Sequence, residues 1–378
     1  MTERARTHLF KALFSTWPLL VTAVTLALLG VLTINPFVET SALASRQLIF
    51  IVIGIVVYGI CSVIDMRFIR RTPVIIALYV TSVVLLSLVL VIGTRTMGAK
   101  SWFNFGAVAF QPADFAKLAM IALLAKYFSR RHMEMGNMAH VAVSGIYAAS
   151  IILLILVQPD LGAAIIFITV WFGMVLVSGI PLRHLAVVCL IGLVAAAGLW
   201  SFGLKPYQRT RVLSFLNPAA DIRGSGYNAY QAMIASGSGE LWGKGIGYGT
   251  QSKLRFLPEY QTDFIFAAFA EEWGFVGVVL LFLLYGFLLF QLLSIARRSA
   301  TNFDALFTIG VLIMFLAHIG FHTGINLGIF PVTGTTIPFM SSGGSHIVME
   351  FAALGIIASL AQQGRSVPRE QATLEYEG

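Results

Sequence analysis

The sequence is poor in charge and almost without cysteine. Of its 378 residues only 11% are Asp, Glu, Lys or Arg, while 58% are hydrophobic and the mean hydropathy is +0.85. A soluble domain carries roughly 25% charged residues, so a water-covered globule of this length is excluded. The two cysteines, Cys61 and Cys189, both lie inside apolar runs, which excludes a disulfide framework and a Cys-based metal site. Apolar runs of about 20 residues recur through most of the chain, which excludes a single anchor on a soluble body and a β-barrel.

What remains is a polytopic membrane protein. About ten spans are expected, at 17–35, 46–64, 73–93, 112–128, 141–157, 160–178, 185–203, 263–291, 303–325 and 347–363. The fold class is all-α, one integral membrane domain over 1–378. It has a large extracytoplasmic loop at 204–262 before the eighth helix, a re-entrant-like outer loop before the tenth, and a polar cytoplasmic tail at 364–378. Ala42-Leu43-Ala44 has the look of a signal-peptidase site, but the first apolar run is long enough to span and reads as a retained helix.

Positive charge orients the bundle. One set of ends carries Arg4, Arg6, Lys11, Arg67, Arg70, Arg71, Arg130, Arg131, Arg183, Arg297, Arg298, Arg365 and Arg369; the opposite short loops carry only Arg46, Arg95 and Lys100. Both termini are therefore expected in the cytoplasm. The outer segment 204–262 departs from the rule: Lys205, Arg209, Arg211, Arg223, Lys244, Lys253 and Arg255 stand against Asp221, Glu240 and Glu259. It reads either as a solvated loop, which can be translocated despite its charge, or as an outward-facing anion site. Its run Gly237-Ser-Gly-Glu-Leu-Trp-Gly-Lys-Gly-Ile-Gly-Tyr-Gly-Thr250 permits tight turns and close approach to a ligand.

Ionisable residues at membrane depth are costly, and each raises a question of function. Asp114, Asp160, Asp263, Glu271, Glu272 and Glu350 qualify, with Lys117 as a base near an outward end. Asp114 and Lys117 share a helix face, as an ion pair carried into lipid or as a working pair. Asp160, in Gln158-Pro-Asp-Leu-Gly162, is favoured as an N-cap. Asp263 is either a cap or a base: desolvation would raise its pKa and the neighbouring cations would lower it. Glu271 and Glu272 are expected to be structural partners, and Glu350 to pair with His346. The outer run from Gly328 to Ser345, rich in Pro, Gly and hydroxyls, reads as a packed loop or as irregular backbone lining a cavity.

In chain order, Gln111-Pro-Ala-Asp-Phe-Ala-Lys117, Gln158-Pro-Asp-Leu-Gly162, Tyr207-Gln-Arg-Thr-Arg211, Gly243-Lys-Gly, Gly249-Thr-Gln-Ser252, Phe256-Leu-Pro-Glu259, Thr262-Asp-Phe-Ile-Phe266 and Ser342-Gly-Gly344 resemble the SEDS family (shape, elongation, division and sporulation). The likeness covers roughly 100–365, and the N-terminal spans fit by topology. Three positions depart from the family pattern: Asp114 where Glu is usual, Ser342 in place of Tyr, and His322 in place of Asn. The short N-terminus points to the elongation branch rather than the division branch.

The resemblance implies a peptidoglycan glycosyltransferase that polymerises lipid II at the outer face of a bacterial inner membrane, for cell elongation and rod shape. Transfer inverts configuration, with undecaprenyl diphosphate leaving. The resemblance and the chemistry converge on Asp263 as the general base, and the leaving diphosphate calls for cations, for which Arg209, Arg211, Lys117 and Lys244 are the candidates. Trp102, Gln111, Asp114, Gln251, Ser252, Glu259, Ser341, Ser342 and Gly343 complete the expected substrate surface. A divalent cation, Mg or Mn, would draw on Asp263, Asp160 or Asp114. The implied partners are a class B penicillin-binding protein and other elongation-complex membrane proteins, with no nucleic acid. A lipid II flippase and a non-catalytic scaffold for that transpeptidase are the rival readings. The functional acids and Lys117 cluster at outer ends, which favours surface chemistry over transport.

Overall fold

The computed structural model describes residues 16–34, 41–96, 99–104, 106, 109–131, 138–216, 225–254, 256–257 and 259–363. The expected tail at 364–378 lies outside the described residues, as do Arg4, Arg6, Lys11, Asp221, Arg223 and Arg255. Helices occupy all ten expected spans: α1 Trp17–Ile34, α2 Ser41–Val63, α3 Thr72–Ile92, α4 Pro112–Arg131, α5 Met138–Val157, α6 Leu161–Val177, α7 Leu182–Gly198, then, beyond the outer segment, α11 Ile265–Arg297, α12 Asn302–Asn326 and α13 Gly344–Gln363. Eight of these are long and apolar enough to cross a membrane, and α6 is a shorter apolar helix. In α4, five charged side chains dilute the apolar signal, and two of them, Asp114 and Lys117, are buried.

The described residues of 204–262 form short helices and turns. A π-turn at Leu199–Gly203 extends α7 and leads into the short helices α8 Pro206–Leu216, α9 Ser225–Ser238 and α10 Thr250–Lys253. A small antiparallel sheet, which hydropathy did not suggest, fills the loop between α3 and α4. Its strands β1 Thr94–Thr96, β2 Ala99–Asn104 and β3 Ala109–Phe110 pair in the order 1-2-3, with Phe103 opposite Phe110. This sheet sets Ser101 and Trp102 next to the start of α4.

In lipid, helices associate through close packing and hydrogen bonds more than through hydrophobic expulsion. The most extensive helix pair is α2 with α13. A Cβ on Gly54 would collide with the Phe351 ring, so that position must be bare. Polar stitches close the same seam: Gln47 Nε2 donates to the Ser341 carbonyl at 3.1 Å, and Ser359 Oγ donates to the Ile64 carbonyl at 2.7 Å. At the opposite end of the bundle from Gln47, Arg70 forks onto the buried Asp304 at 3.0 and 2.7 Å. By contrast α7 stands apart; only Val188 among its residues is buried, and Leu182, Leu190 and Leu193 face outward.

The glycine-rich run finds its role in a broken helix. At Gly274, α11 leaves helical geometry with φ +66° and ψ −169°, the left-handed region that favours glycine. A break frees backbone groups that must be satisfied at this depth. The run supplies them: Phe275 N donates to Glu240 O at 2.8 Å and Val276 N to Leu241 O at 3.1 Å. In return, Lys244 N and Gly245 N each donate at 3.0 Å, to the carbonyls of Glu271 and Glu272. The Glu271 carboxylate then gathers Lys244 Nζ at 2.7 Å, Thr250 N at 2.9 Å and Gln251 N at 3.2 Å, and Glu272 accepts from Gly247 N at 3.0 Å. The glycines therefore admit the backbone of α11, where close approach to a ligand had been expected. Glu271 and Glu272 are the structural partners anticipated for them.

Candidate active site

A cavity of about 320 Å³ opens where α4, α6, α8, the loop before α11 and the loop between α12 and α13 converge. Trp102, Gln111, Asp114, Lys117, Asp160, Arg211, Glu259, Asp263, Ser342 and Gly343 line it together, although they are drawn from segments more than 200 residues apart.

Asp263 sits in a turn whose geometry is pinned on three sides. Thr262 N and Asp263 N both donate to Glu259 O at 3.1 Å, which requires Glu259 to adopt φ +51°. Asn326 on α12 donates to the Asp263 carbonyl at 3.0 Å and accepts from Ala267 N at 3.0 Å, tying the turn to the first turn of α11. Ser341 Oγ donates to Thr262 O at 2.8 Å, and Ser342 N donates to Gln261 O at 2.8 Å. Opposite the carboxylate stands Gly334 at φ +74°, where a Cβ would lie 3.5 Å from Asp263 Oδ2. Burial raises the Asp263 carboxyl to about 7; the charge of Glu259 adds to the rise and Arg211 opposes it. Of the two effects weighed from sequence, desolvation outweighs the cations.

Asp160 caps α6: its Oδ1 accepts from Ala163 N at 2.9 Å, and its Oδ2 accepts from Gln111 Nε2 at 3.3 Å. Its carboxyl is raised by burial, against the Ala163 hydrogen bond and the charge of Lys117. The N-cap reading of Asp160 therefore holds, and the same residue lines the cavity.

On α4, Lys117 Nζ lies 3.0 Å from Asp114 Oδ1 and 3.2 Å from His318 Nε2. Asp114 also accepts from Ser345 Oγ at 2.8 Å and meets His346 Nδ1 at 3.2 Å. The expected His346–Glu350 pair is present, Nε2 to Oε1 at 2.9 Å. Sequence reasoning had set that pair apart from the site; instead His346 and His318 both line the cavity, with ring centroids 5.2 Å apart. Gln208, which also lines it, was missed inside the motif that supplied Arg209 and Arg211. Its amide donates to the Pro159 carbonyl at 3.3 Å.

Several expected site residues lie elsewhere. Lys244 is spent on Glu271, away from the cavity lining. Arg209 turns back to the π-turn, donating to Ser201 O at 3.0 Å. Gln251 contributes its backbone N–H to Glu271, Ser252 is buried beside it in α10, and Ser341 acts through its latch to Thr262. At the departed position, His322 bonds the Thr335 carbonyl through Nδ1 at 2.7 Å, and Asn326 one turn later supplies the amide next to Asp263.

Nor do the carboxylates form a metal cage. Among the described residues no group of three or more His, Cys, Asp or Glu side chains is placed to hold an ion. Asp114 is already engaged by a lysine, a histidine and a serine, and Asp160 by an amide and a backbone N–H.

The sequence profile of the FtsW/RodA/SpoVE cell cycle proteins matches residues 7–366. The chain belongs to this family. Among its curated relatives, the probable peptidoglycan glycosyltransferase FtsW of Thiomicrospira cyclica is 38% identical over 295 residues, covering 76% of this chain and 75% of that one. Two solved structures share the family fold. The rod shape determining protein RodA of Thermus thermophilus superposes with a TM-score of 0.70 at 30% identity, over 92% of this chain and 96% of that one. A chain from a peptidoglycan synthase complex that coordinates polymerization and crosslinking does so with a TM-score of 0.79 at 32% identity, over 93% and 98%.

Proposed function

We propose that this chain is a peptidoglycan glycosyltransferase that polymerises lipid II at the outer face of the bacterial inner membrane, with both termini cytoplasmic. The observation that carries the reading is one cavity holding a carboxylate tuned to about 7, Asp263, together with the cations Lys117 and Arg211. A base with that pKa can take a hydroxyl proton near neutral pH. Cations beside it suit a diphosphate leaving group, and arginine adds bidentate geometry.

In the step proposed, the 4-hydroxyl of the glycan acceptor attacks the anomeric carbon of the donor. Asp263 takes the hydroxyl proton as the new C–O bond forms, and the bond to undecaprenyl diphosphate breaks with its electron pair. The departing diphosphate needs no proton, so one carboxylate suffices, and its charge is met by Lys117 and Arg211. The residues present do not fit a protein-held metal, and no step is routed through one. A class B penicillin-binding protein, which would supply cross-linking, is the proposed partner; likeness to a chain of a synthase complex supports it. The rod-shape branch is supported by the likeness to RodA.

The test is lipid II polymerisation by purified protein with its cognate class B partner, wild type against Asp263→Ala, with moenomycin present to silence contaminating polymerases. Long glycan from wild type alone supports the assignment. Equal polymer from both would reduce Asp263 to a structural residue, and no polymer from either would return the chain to transport or scaffolding.

A further inference from the structure

A buried charge relay runs inward from the cavity wall. Lys117 Nζ meets Asp114 Oδ1 at 3.0 Å; the same oxygen meets His346 Nδ1 at 3.2 Å; and His346 Nε2 meets Glu350 Oε1 at 2.9 Å. Asp114, Lys117, His346 and Glu350 are each less than a tenth exposed. The flanking charges set the state of His346. Asp114 Oδ1 lies 3.2 Å from Nδ1 and Glu350 Oε1 lies 2.9 Å from Nε2, while Nε2 also meets the Thr336 hydroxyl at 2.8 Å, a group able to accept its proton; a carboxylate on each side of the ring favours the imidazolium. His318 differs: Nδ1 meets the Thr336 carbonyl at 3.0 Å, so it carries the proton, and Nε2 accepts from Lys117 at 3.2 Å. That ring is neutral. The relay thus alternates plus, minus, plus, minus, with no net charge.

The order matters because only one end meets the substrate. Lys117, Asp114 and His346 line the cavity, whereas Glu350 lies behind them, its other oxygen accepting from Phe339 N at 2.7 Å. Without the imidazolium, two carboxylates would face one ammonium beside the place where an anionic group must bind.

We propose that His346 is a positioning residue for the anionic leaving group: by neutralising Asp114 and Glu350 from behind, it leaves Lys117 free to bind the diphosphate. This rests on the glycosyltransferase reading for its choice of ligand, and it goes beyond it in giving His346 and Glu350 opposite effects on that ligand.

The experiment compares wild type, His346→Gln, Glu350→Gln and the double variant, all in detergent and matched for folding by thermal melt. Binding of farnesyl diphosphate is measured by titration calorimetry, and KM for lipid II is measured in the partner-containing assay. His346→Gln leaves the relay net negative and should weaken diphosphate binding and raise KM about tenfold or more, with kcat little changed. Glu350→Gln leaves it net positive and should bind as well as wild type or better. The double variant restores neutrality and should recover most of the loss. If His346→Gln binds normally, or if Glu350→Gln weakens binding as much as His346→Gln does, the proposal falls, since a packing role would make every change harmful. Should one single variant not fold, the double variant against wild type still decides, because neutrality predicts near-normal binding. Diphosphate binding without polymerisation in wild type would overturn the enzyme reading and leave this one standing.

Discussion

The side-chain amide of Asn326 holds the main chain on both sides of Phe264, donating to Asp263 O and accepting from Ala267 N, each at 3.0 Å. Asn326 is fully buried, so these two contacts and a third, to the His322 carbonyl at 2.8 Å, exchange no hydrogen bonds with water. Asn326→Ala strands a buried N–H and carbonyl and should cost about 1–3 kcal/mol of stability. Because it also releases the turn that aims Asp263, kcat should fall more than KM changes. Steady-state kinetics beside a thermal melt will separate the two.

Loss of the base itself should be steep. Asp263→Ala is expected to lower kcat by about 10²–10⁴-fold, the usual worth of general-base catalysis, while farnesyl diphosphate still binds.

The pH profile follows from the same carboxyl. The base form exists above its pKa of about 7, so kcat/KM should rise with pH through 7 and fall about tenfold per unit below it. Glu259 pushes that pKa up and Arg211 holds it down. Glu259→Gln should therefore move the midpoint to lower pH, and Arg211→Gln should move it higher while weakening donor binding. A profile with the same midpoint in all three proteins would contradict the assignment.

Stability should run the opposite way to activity. A carboxyl whose folded pKa is raised favours the folded state at low pH, and that advantage disappears as pH rises from its unfolded value near 4 through 7. Asp263→Asn removes the penalised charge, so its Tm should exceed that of wild type at pH 8, and the gap should close by pH 4. Melts at the two pH values check this.

At the break in α11, Glu271→Gln leaves the partly buried Lys244 ammonium without its ion pair and weakens the charge-assisted bonds from Thr250 and Gln251, and should cost about 1–3 kcal/mol. The run from Leu241 to Tyr248 should then become sensitive to limited proteolysis, with diphosphate binding at the cavity largely kept.

The sequence was informative about spans because hydropathy is local: all ten helices stand where the apolar runs are. It was informative about Asp263, Asp160, Lys117 and Arg211 because each lies in a compact motif. Lys244 and Arg209 were misplaced, since basic charge in an outer segment shows attraction for anions without saying which anion wins. For Lys244 it is Glu271 on α11. His346 and His318 stayed hidden because their partners lie on α4, some 200 residues earlier, and no spacing rule links them. The need for Gly274 was equally invisible: it depends on backbone donors and acceptors exchanged between two distant segments.

The seam between α2 and α13 also sets a timetable. Gly54 and Phe351, which touch across it, are separated by nearly 300 residues of chain. At a synthesis rate of about 5–20 residues per second, the inner face of α2 would wait roughly 15–60 s in the bilayer before its partner emerged from the ribosome. Throughout that wait Gln47, which ends up holding the Ser341 and Gly343 backbone, has no native partner, so assembly of the reactive end is among the last events of biogenesis.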